Sequence, residues 1–384
     1  MSAVLSGAAG LIPVSVLTGF LGSGKTTVLN RLVRAPEMRR ALVIVNEFGA
    51  VSLDHDLIAR SSEDLVVEMM GGCLCCTIRG DLLATLRDAP WRFAREGTCW
   101  FDRVVIETTG LADPAPILHT LMTDPMLGTV YRLDSVIATV DAANGMATLD
   151  RQEEAVKQAA VADRILLTKI DLVGDGERSA IEARLRALNP AATIVPTRDG
   201  AVDPGDLFGA GLFDPAAKSA DVRRWLNAEA YDSHGHGHGH GHSHGHGHHH
   251  DVNRHDDRIR ATCLTIDTLL PAAGFERWID ILTMFKGPDI LRVKGILHIE
   301  GEPHPVAIHG VQHIFHPPVV LDEWPGHDRR TRLVFITRDI DADELRSTLA
   351  LMTDGFDRFV LDGAEQDAPF GNSLAQGGSL LSAL

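Results

Sequence analysis

The chain is poor in cysteine, in aromatic residues and in positive charge. Five of its 384 residues are Cys, two are Tyr, and aromatics make up 5%. A disulfide framework uses an even, dispersed set of cysteines. Here the number is odd, and Cys73, Cys75 and Cys76 fall within four residues. A reduced compartment is therefore expected. The sequence also lacks an uninterrupted apolar run of about 18 residues, so neither a transmembrane helix nor a membrane partner is expected. The apolar stretch from Leu11 to Leu21 has no basic segment before it and is broken by Pro13, Ser15 and Gly19. It does not read as a secretion signal, and a cytoplasmic location is expected. Lys and Arg number 36 against 52 Asp and Glu, a formal charge of −16. Sequence-independent nucleic-acid binding rests on Lys and Arg neutralising phosphates, so no nucleic-acid partner is expected.

What is abundant is apolar material and histidine. Hydrophobic residues make up 45% and charged residues 23%, which suffices for a large core. The length predicts two or three domains. Val- and Ile-rich runs at Pro13–Thr18, Ala41–Asn46, Leu65–Met69, Arg103–Glu107, Ser135–Asp141, Arg164–Thr168 and Thr193–Pro196 read as strands buried on both faces. Helical patterns at Lys25–Arg34, Asp81–Asp88, Gln152–Val161 and Arg178–Leu188 lie between several of them. Such alternation predicts an α/β fold with a doubly wound, mostly parallel sheet. A Gly-His tract spans 233–250 and reads as a flexible linker. Beyond it, strands at Arg258–Asp267, Ile290–Glu300, Pro305–His309 and Arg332–Thr337 and helices at Pro271–Phe285 and Asp341–Leu351 predict a smaller α+β domain. The expected organisation is 1–215, a linker 216–257, a second domain 258–361 and a tail 362–384.

The segment from Gly19 to Thr26, GFLGSGKT, fits GxxxxGK[ST] in full, between an apolar strand and a helix. Gly19, Gly22, Ser23 and Gly24 would turn backbone N–H groups onto phosphates at a helix N-terminus. Lys25 would reach the terminal phosphates and the Thr26 hydroxyl would ligate Mg²⁺. The strand Arg103–Ile106 ends in Glu107-Thr108-Thr109-Gly110. A P-loop site needs an acid at such a strand end for the Mg²⁺ shell, and Glu107 is the candidate. Gly110 could sense a γ-phosphate through its N–H. Thr168-Lys169-Ile170-Asp171 follows another strand. A carboxylate at Asp171 can accept from the N1–H and amine of guanine, with the Lys169 stem packed on the ring. GTPases usually have Asn-Lys-x-Asp here, and this chain begins the motif with Thr168.

Three thiols at Cys73, Cys75 and Cys76 can supply thiolates to a borderline cation such as Zn²⁺. The set is incomplete for a closed structural site, which suits a carrier. Glu47, in Asn46-Glu47-Phe48-Gly49, could add an oxygen ligand. His234, His236, His238, His240, His242, His244, His246, His248, His249 and His250 offer ten imidazoles on flexible backbone. They read as a metal-gathering tract of low selectivity. Cys99 and Cys263 read as packing residues, Trp278 and Trp324 as core or interface residues, and the histidines at 298, 304, 309, 313 and 316 as structural or exposed rather than as ligands.

Taken in order, the P-loop with Thr27, the Asn46–Gly49 segment, Gly72-Cys73-Leu74-Cys75-Cys76, Glu107–Gly110 and Thr168–Asp171 closely resemble the CobW-like GTPases. That family contains metallochaperones related to the urease and hydrogenase nickel-insertion GTPases. The segments Leu291–Ile296 and Arg332–Ile336 resemble its C-terminal domain. The resemblance spans about residues 12–352. It implies slow GTP hydrolysis and a divalent metal, Zn²⁺ first and Co²⁺ second, bound at the Cys-x-Cys-Cys loop near the nucleotide. It also implies a client metalloprotein as partner, for a monomer or homodimer. Asp54, in the expected switch segment, would join the Mg²⁺ shell or orient water. Some members carry Glu directly after Asn-Glu-Phe-Gly as a metal ligand, where this chain has Ala50. Three other readings stand beside the chaperone: a zinc buffer with a largely regulatory nucleotide site, a cobalt chaperone for cobalamin biosynthesis, and a small-molecule kinase using the same P-loop.

Overall fold

The structure is a computed structural model that describes residues 10–47, 66–70, 76–210, 226 and 258–349. These residues fall into two compact units, 10–210 and a second made of 226 with 258–349.

The first unit is built on seven strands. They are β1 (Ile12–Gly19), β2 (Ala41–Glu47), β3 (Val66–Met70), β6 (Arg103–Glu107), β7 (Tyr131–Asp141), β8 (Arg164–Thr168) and β9 (Thr193–Pro196), with the short hairpin β4 (Ala94–Arg95) and β5 (Thr98–Cys99) set apart. The sheet order is β3-β2-β6-β1-β7-β8-β9, and every pairing in it is parallel. All seven C-terminal ends therefore lie along one edge, where ligands of open α/β sheets bind. The core strands are apolar on both faces because helices cover both. On one side α1 (Lys25–Leu32) packs Val28, Leu29 and Leu32 against Leu17, Val43, Val105, Ile137 and Leu166. The remaining helices are α2 (Cys76–Arg92), α3 (Ala115–Thr123), α4 (Gly145–Arg151), α5 (Glu153–Val161), α6 (Asp175–Leu188) and the single turn α7 (Pro204–Leu207).

Several elements extend or add to the sequence reading. β7 starts at Tyr131 rather than Ser135, because its polar Asp134 is not at a surface. Asp134 is 1% exposed and accepts from Ser15 Oγ, Arg103 Nη1 and the Gly209 amide. α2 is longer than expected and continues through Pro90 near its end. α3 and α4 went unrecognised. The turn of α3 begins with Pro114 and Pro116, and Pro in a first turn costs no helical hydrogen bond.

The second unit has strands β10 (Ile259–Ile266), β11 (Ile290–Leu297), β12 (Val306–Val311), β13 (Ile314–Phe315), β14 (Val319–Val320) and β15 (Thr331–Arg338), with helices α8 (Ala272–Lys286) and α9 (Ala342–Thr348). The order β10-β15-β11-β12-β13 is antiparallel throughout, and β14 pairs with β12. This is the α+β arrangement expected from the sequence. Its core sets Phe275 and Trp278 of α8 against Val293 and Phe335 of the sheet. Trp278 is fully buried and its indole N–H donates to Thr348 Oγ1 at 2.8 Å, tying α8 to α9.

Candidate nucleotide site

Local chemistry at the end of β1 dictates a tight loop. Gly19 has φ +145°, and a Cβ there would lie 2.2 Å from Thr139 Oγ1 and 2.6 Å from the Thr139 carbonyl oxygen. Only glycine fits. Ser23 closes the turn, with its hydroxyl 2.6 Å from the Phe20 carbonyl oxygen and 2.6 Å from Thr139 Oγ1. Lys25, the first residue of α1, is 8% exposed and its ammonium donates to the carbonyls of Gly19 (2.8 Å) and Phe20 (3.2 Å). The loop thus curls around its own lysine, with the N-terminus of α1 directly behind it.

β6 lies beside β1 with Glu107 level with Leu17. Glu107 is 5% exposed, and Thr26 Oγ1 donates to its Oε1 at 3.2 Å. A hydroxyl and a carboxylate oxygen together are hard donors of the kind Mg²⁺ takes. The residues present therefore fit that ion. The Thr108 amide donates to the Leu17 carbonyl and its hydroxyl to Thr18 Oγ1, both at 2.9 Å. Gly110 then passes so close to the P-loop that a Cβ would lie 2.7 Å from the Leu21 amide nitrogen. The buried Gln158 of α5 holds this turn from the other side. Its Nε2 donates to the carbonyls of Gly110 (3.2 Å) and Ala112 (2.9 Å).

β8 delivers the third element. Thr168 Oγ1 donates to the Ser23 carbonyl at 2.7 Å, so this hydroxyl ties the strand end to the P-loop. Lys169 follows in the left-handed region (φ +55°) and Asp171 is exposed in the next turn, Ile170–Leu172. The Lys169 ammonium donates to Asp141 Oδ2 at 2.6 Å. Asp141 also accepts from the amides of Ala143 (2.8 Å) and Asn144 (3.2 Å) and from Asn144 Nδ2 (3.0 Å). Partial burial pushes the Asp141 carboxyl up. The hydrogen bonds from Asn144, Lys169 and the two amides outweigh that and hold it below the ordinary carboxylate range. The loop after β9 closes the same edge, where Gly200 packs against the Thr27 backbone. A cavity of about 210 Å³ lies on the outer wall of the P-loop, between Leu21, Gly22, the end of β7, α4, α5 and Lys169. It borders the candidate phosphate loop but includes neither Thr26 nor Asp171.

The structure thus brings together Gly19, Gly22, Ser23, Gly24, Lys25, Thr26, Glu107, Gly110, Thr168 and Lys169 at one sheet edge. The same edge carries the backbone of Glu47, which is paired with Met70 at the end of β3. Asp54, Cys73, Cys75 and the ten tract histidines lie outside the described residues, and Cys76 is described only as the backbone start of α2. Among the described residues no three His, Cys, Asp or Glu side chains gather as a metal site. Two of the C-terminal histidines have contacts of their own. His304 Nδ1 pairs with the Asp322 carbonyl and His298 packs edge-on to Trp324. Sequence reasoning missed Asp141 and Gln158, which touch the candidate site through residues it had singled out.

A parallel sheet with this loop, the acid of β6 and the turn after β8 defines a P-loop GTPase. Two family profiles match the chain. "CobW/HypB/UreG, nucleotide-binding domain" matches residues 13–196, and "Cobalamin synthesis protein cobW C-terminal domain" matches 259–353. The chain is 31% identical over 339 residues to the zinc chaperone YjiA of Escherichia coli, covering 88% of this chain and 98% of that one. It is 30% identical to the zinc chaperone CobW of Pseudomonas aeruginosa, covering 88% and 92%. The crystal structure of Zn(II)-bound YjiA GTPase from E. coli matches with a TM-score of 0.63 and 28% identity, covering 90% of this chain and 100% of that one. The chain belongs to the CobW family. No helix among its described residues is long and apolar enough to cross a membrane.

Proposed function

We propose that this chain is a GTP-hydrolysing metal chaperone that binds Zn²⁺ through Cys73, Cys75 and Cys76 and passes it to a client metalloprotein in a nucleotide-dependent way. One observation carries most weight. The three elements that would contact nucleotide are hydrogen-bonded to each other, through Thr26–Glu107 and Thr168–Ser23. The strand that leads into the cysteine segment is two strands from Glu107 in the same sheet. Relatives named as zinc chaperones support the choice of metal.

In this reading the P-loop amides and Lys25 hold the phosphates, and Thr26 and Glu107 hold Mg²⁺. The ion supplies charge neutralisation at the transferring phosphoryl group. Phosphoryl transfer to water then depends on positioning and on charge stabilisation by Lys25 and the loop amides. Asp171 would accept from guanine. Glu47 and the tract histidines would add ligands or gather metal, and Asp54 would serve the Mg²⁺ shell or the attacking water.

The test is hydrolysis of GTP and ATP by the chain lacking 234–250, with and without one equivalent of Zn²⁺. The expected result is GTP preference, a rate changed by zinc, and loss of that change in Cys75→Ala. Lys25→Ala should lower the rate by about 100-fold or more. A rate indifferent to zinc once the tract is gone would favour the buffer, for which the ten histidines are the specific argument. ATP preference with a phosphorylated product would favour the kinase.

A further inference from the structure

We infer that Asp141 is a positioning residue for recognition of the nucleotide base, acting through Lys169. The inference deepens the GTP reading above and rests on it. Lys169 is a non-glycine residue in the left-handed region (φ +55°), a conformation that β-carbons disfavour. Something must hold it there. The backbone does part of this, since the Ala142 amide donates to the Thr168 carbonyl at 2.9 Å and Asp141 is paired level with Thr168 across β7 and β8. The side chain does the rest. Its ammonium reaches Asp141 Oδ2 at 2.6 Å, a short, charge-assisted contact.

Asp141 is itself fixed. Two backbone amides and the Asn144 amide group occupy its oxygens, so the carboxylate cannot follow the lysine if the lysine moves. It is an anchor built into the first turn after β7, and Lys169 is tethered to it across the strand pair. The consequence concerns the base. A lysine tethered at its tip has its four-carbon stem laid out in one direction, and here that stem lines the same cavity as Phe20–Ser23 of the P-loop. Without the tether the stem samples many rotamers, and an aromatic base must immobilise it on binding. Asp141 therefore lowers the cost of forming the base site rather than touching the reacting phosphate. Its loss should appear in KM and leave kcat in place.

The experiment uses the full chain and GTP itself. Asp141→Asn keeps an oxygen for the two backbone amides and removes the charge facing Lys169. The expected result is a KM for GTP raised about tenfold with kcat within about twofold, beside a melting transition that is somewhat lowered but still cooperative. Lys169→Met should raise KM by a similar factor, and the double variant should be no worse than Lys169→Met alone. Asp141→Glu, which restores the charge one methylene further out, should recover part of the loss and serves if Asp141→Asn does not fold. Wild-type KM in Asp141→Asn, or effects that multiply in the double variant, would overturn the inference while leaving GTP binding intact. Absence of saturable GTP binding by the unsubstituted chain would instead overturn the reading beneath it.

Discussion

Gly110 offers a sharp test of whether the β6 turn and the P-loop act as one unit. A methyl group there would lie 2.7 Å from the Leu21 amide nitrogen, 2.7 Å from its Cδ2 and 2.8 Å from its Cα. Ordinary carbon contacts begin at roughly 3.4 Å, so the two segments must part by about 0.7 Å. The Leu21 side chain can rotate away, but its backbone cannot. Gly110 is equally constrained, by the Thr108 bonds to β1 on one side and by Gln158 on the other. Overpacking of this kind costs about 1–3 kcal/mol. Most of the displacement should fall on the P-loop, whose outer segment is the more exposed partner. A misplacement of about 1 Å at a reacting centre can cost 100-fold, so Gly110→Ala should lower kcat/KM for GTP roughly 10- to 100-fold. The assay is steady-state GTP hydrolysis beside thermal unfolding. Gly128→Ala is the control, because a Cβ there meets nothing within 4 Å. If Gly110→Ala keeps kcat/KM and melting temperature at wild-type values, the close approach has no mechanical meaning.

Two further outcomes follow from the same physical reasoning. Gln158→Leu removes both donors to the Gly110 and Ala112 carbonyls. Losing them should cost about 1–2 kcal/mol, read as a melting temperature lower by roughly 2–8 °C, and a melt identical to wild type would refute the latch. In the second unit, hydrogen bonds from the Arg330 side chain and amide hold Asp328 down at about 2. Its folded value is thus below its unfolded one, so its contribution to stability is present above about pH 4 and lost as the pH falls towards 2. Denaturant midpoints measured from pH 5 to 2 should fall less steeply in Asp328→Asn. Equal slopes would show that the pair does not matter.

What could be read from residues alone was whatever is local. The P-loop, the acid at the end of β6 and the turn after β8 each fit within eight residues, and each follows a Val/Ile-rich strand. The misses are non-local. Asp141 looked like an ordinary strand terminus because Lys169, which gives it a role, is 28 residues away. Gln158 sat in a helix pattern as one more polar residue, while its partners are 48 and 46 residues distant. The shortened β7 has the same cause. The sequence reading began this strand at Ser135, and only tertiary contacts with Arg103, Ser15 and Gly209 satisfy the buried Asp134 within it. α2 was clipped because Gly80 and Pro90 weaken its helical pattern, yet the helix runs through both.

The sheet order explains how one chain could couple a phosphate to a thiol. β1 and β2 both flank β6, and β3 lies on the far side of β2. Adjacent strands are about 4.8 Å apart, so the end of β3 stands about 10 Å from the end of β6. Glu47 is paired with Met70, and Val45, two residues earlier on β2, is level with Glu107. If nucleotide exchange moves the β6 turn, as the proposed function requires, the movement has one strand, β2, to cross before it reaches the end of β3. The energy required is small. A tenfold change in metal affinity between nucleotide states is about 1.4 kcal/mol, comparable to one hydrogen bond. By reciprocity the metal must then change nucleotide affinity by the same factor. Measuring GDP affinity with and without Zn²⁺ thus tests the coupling without identifying the client. Equal GDP affinities would refute the proposed coupling.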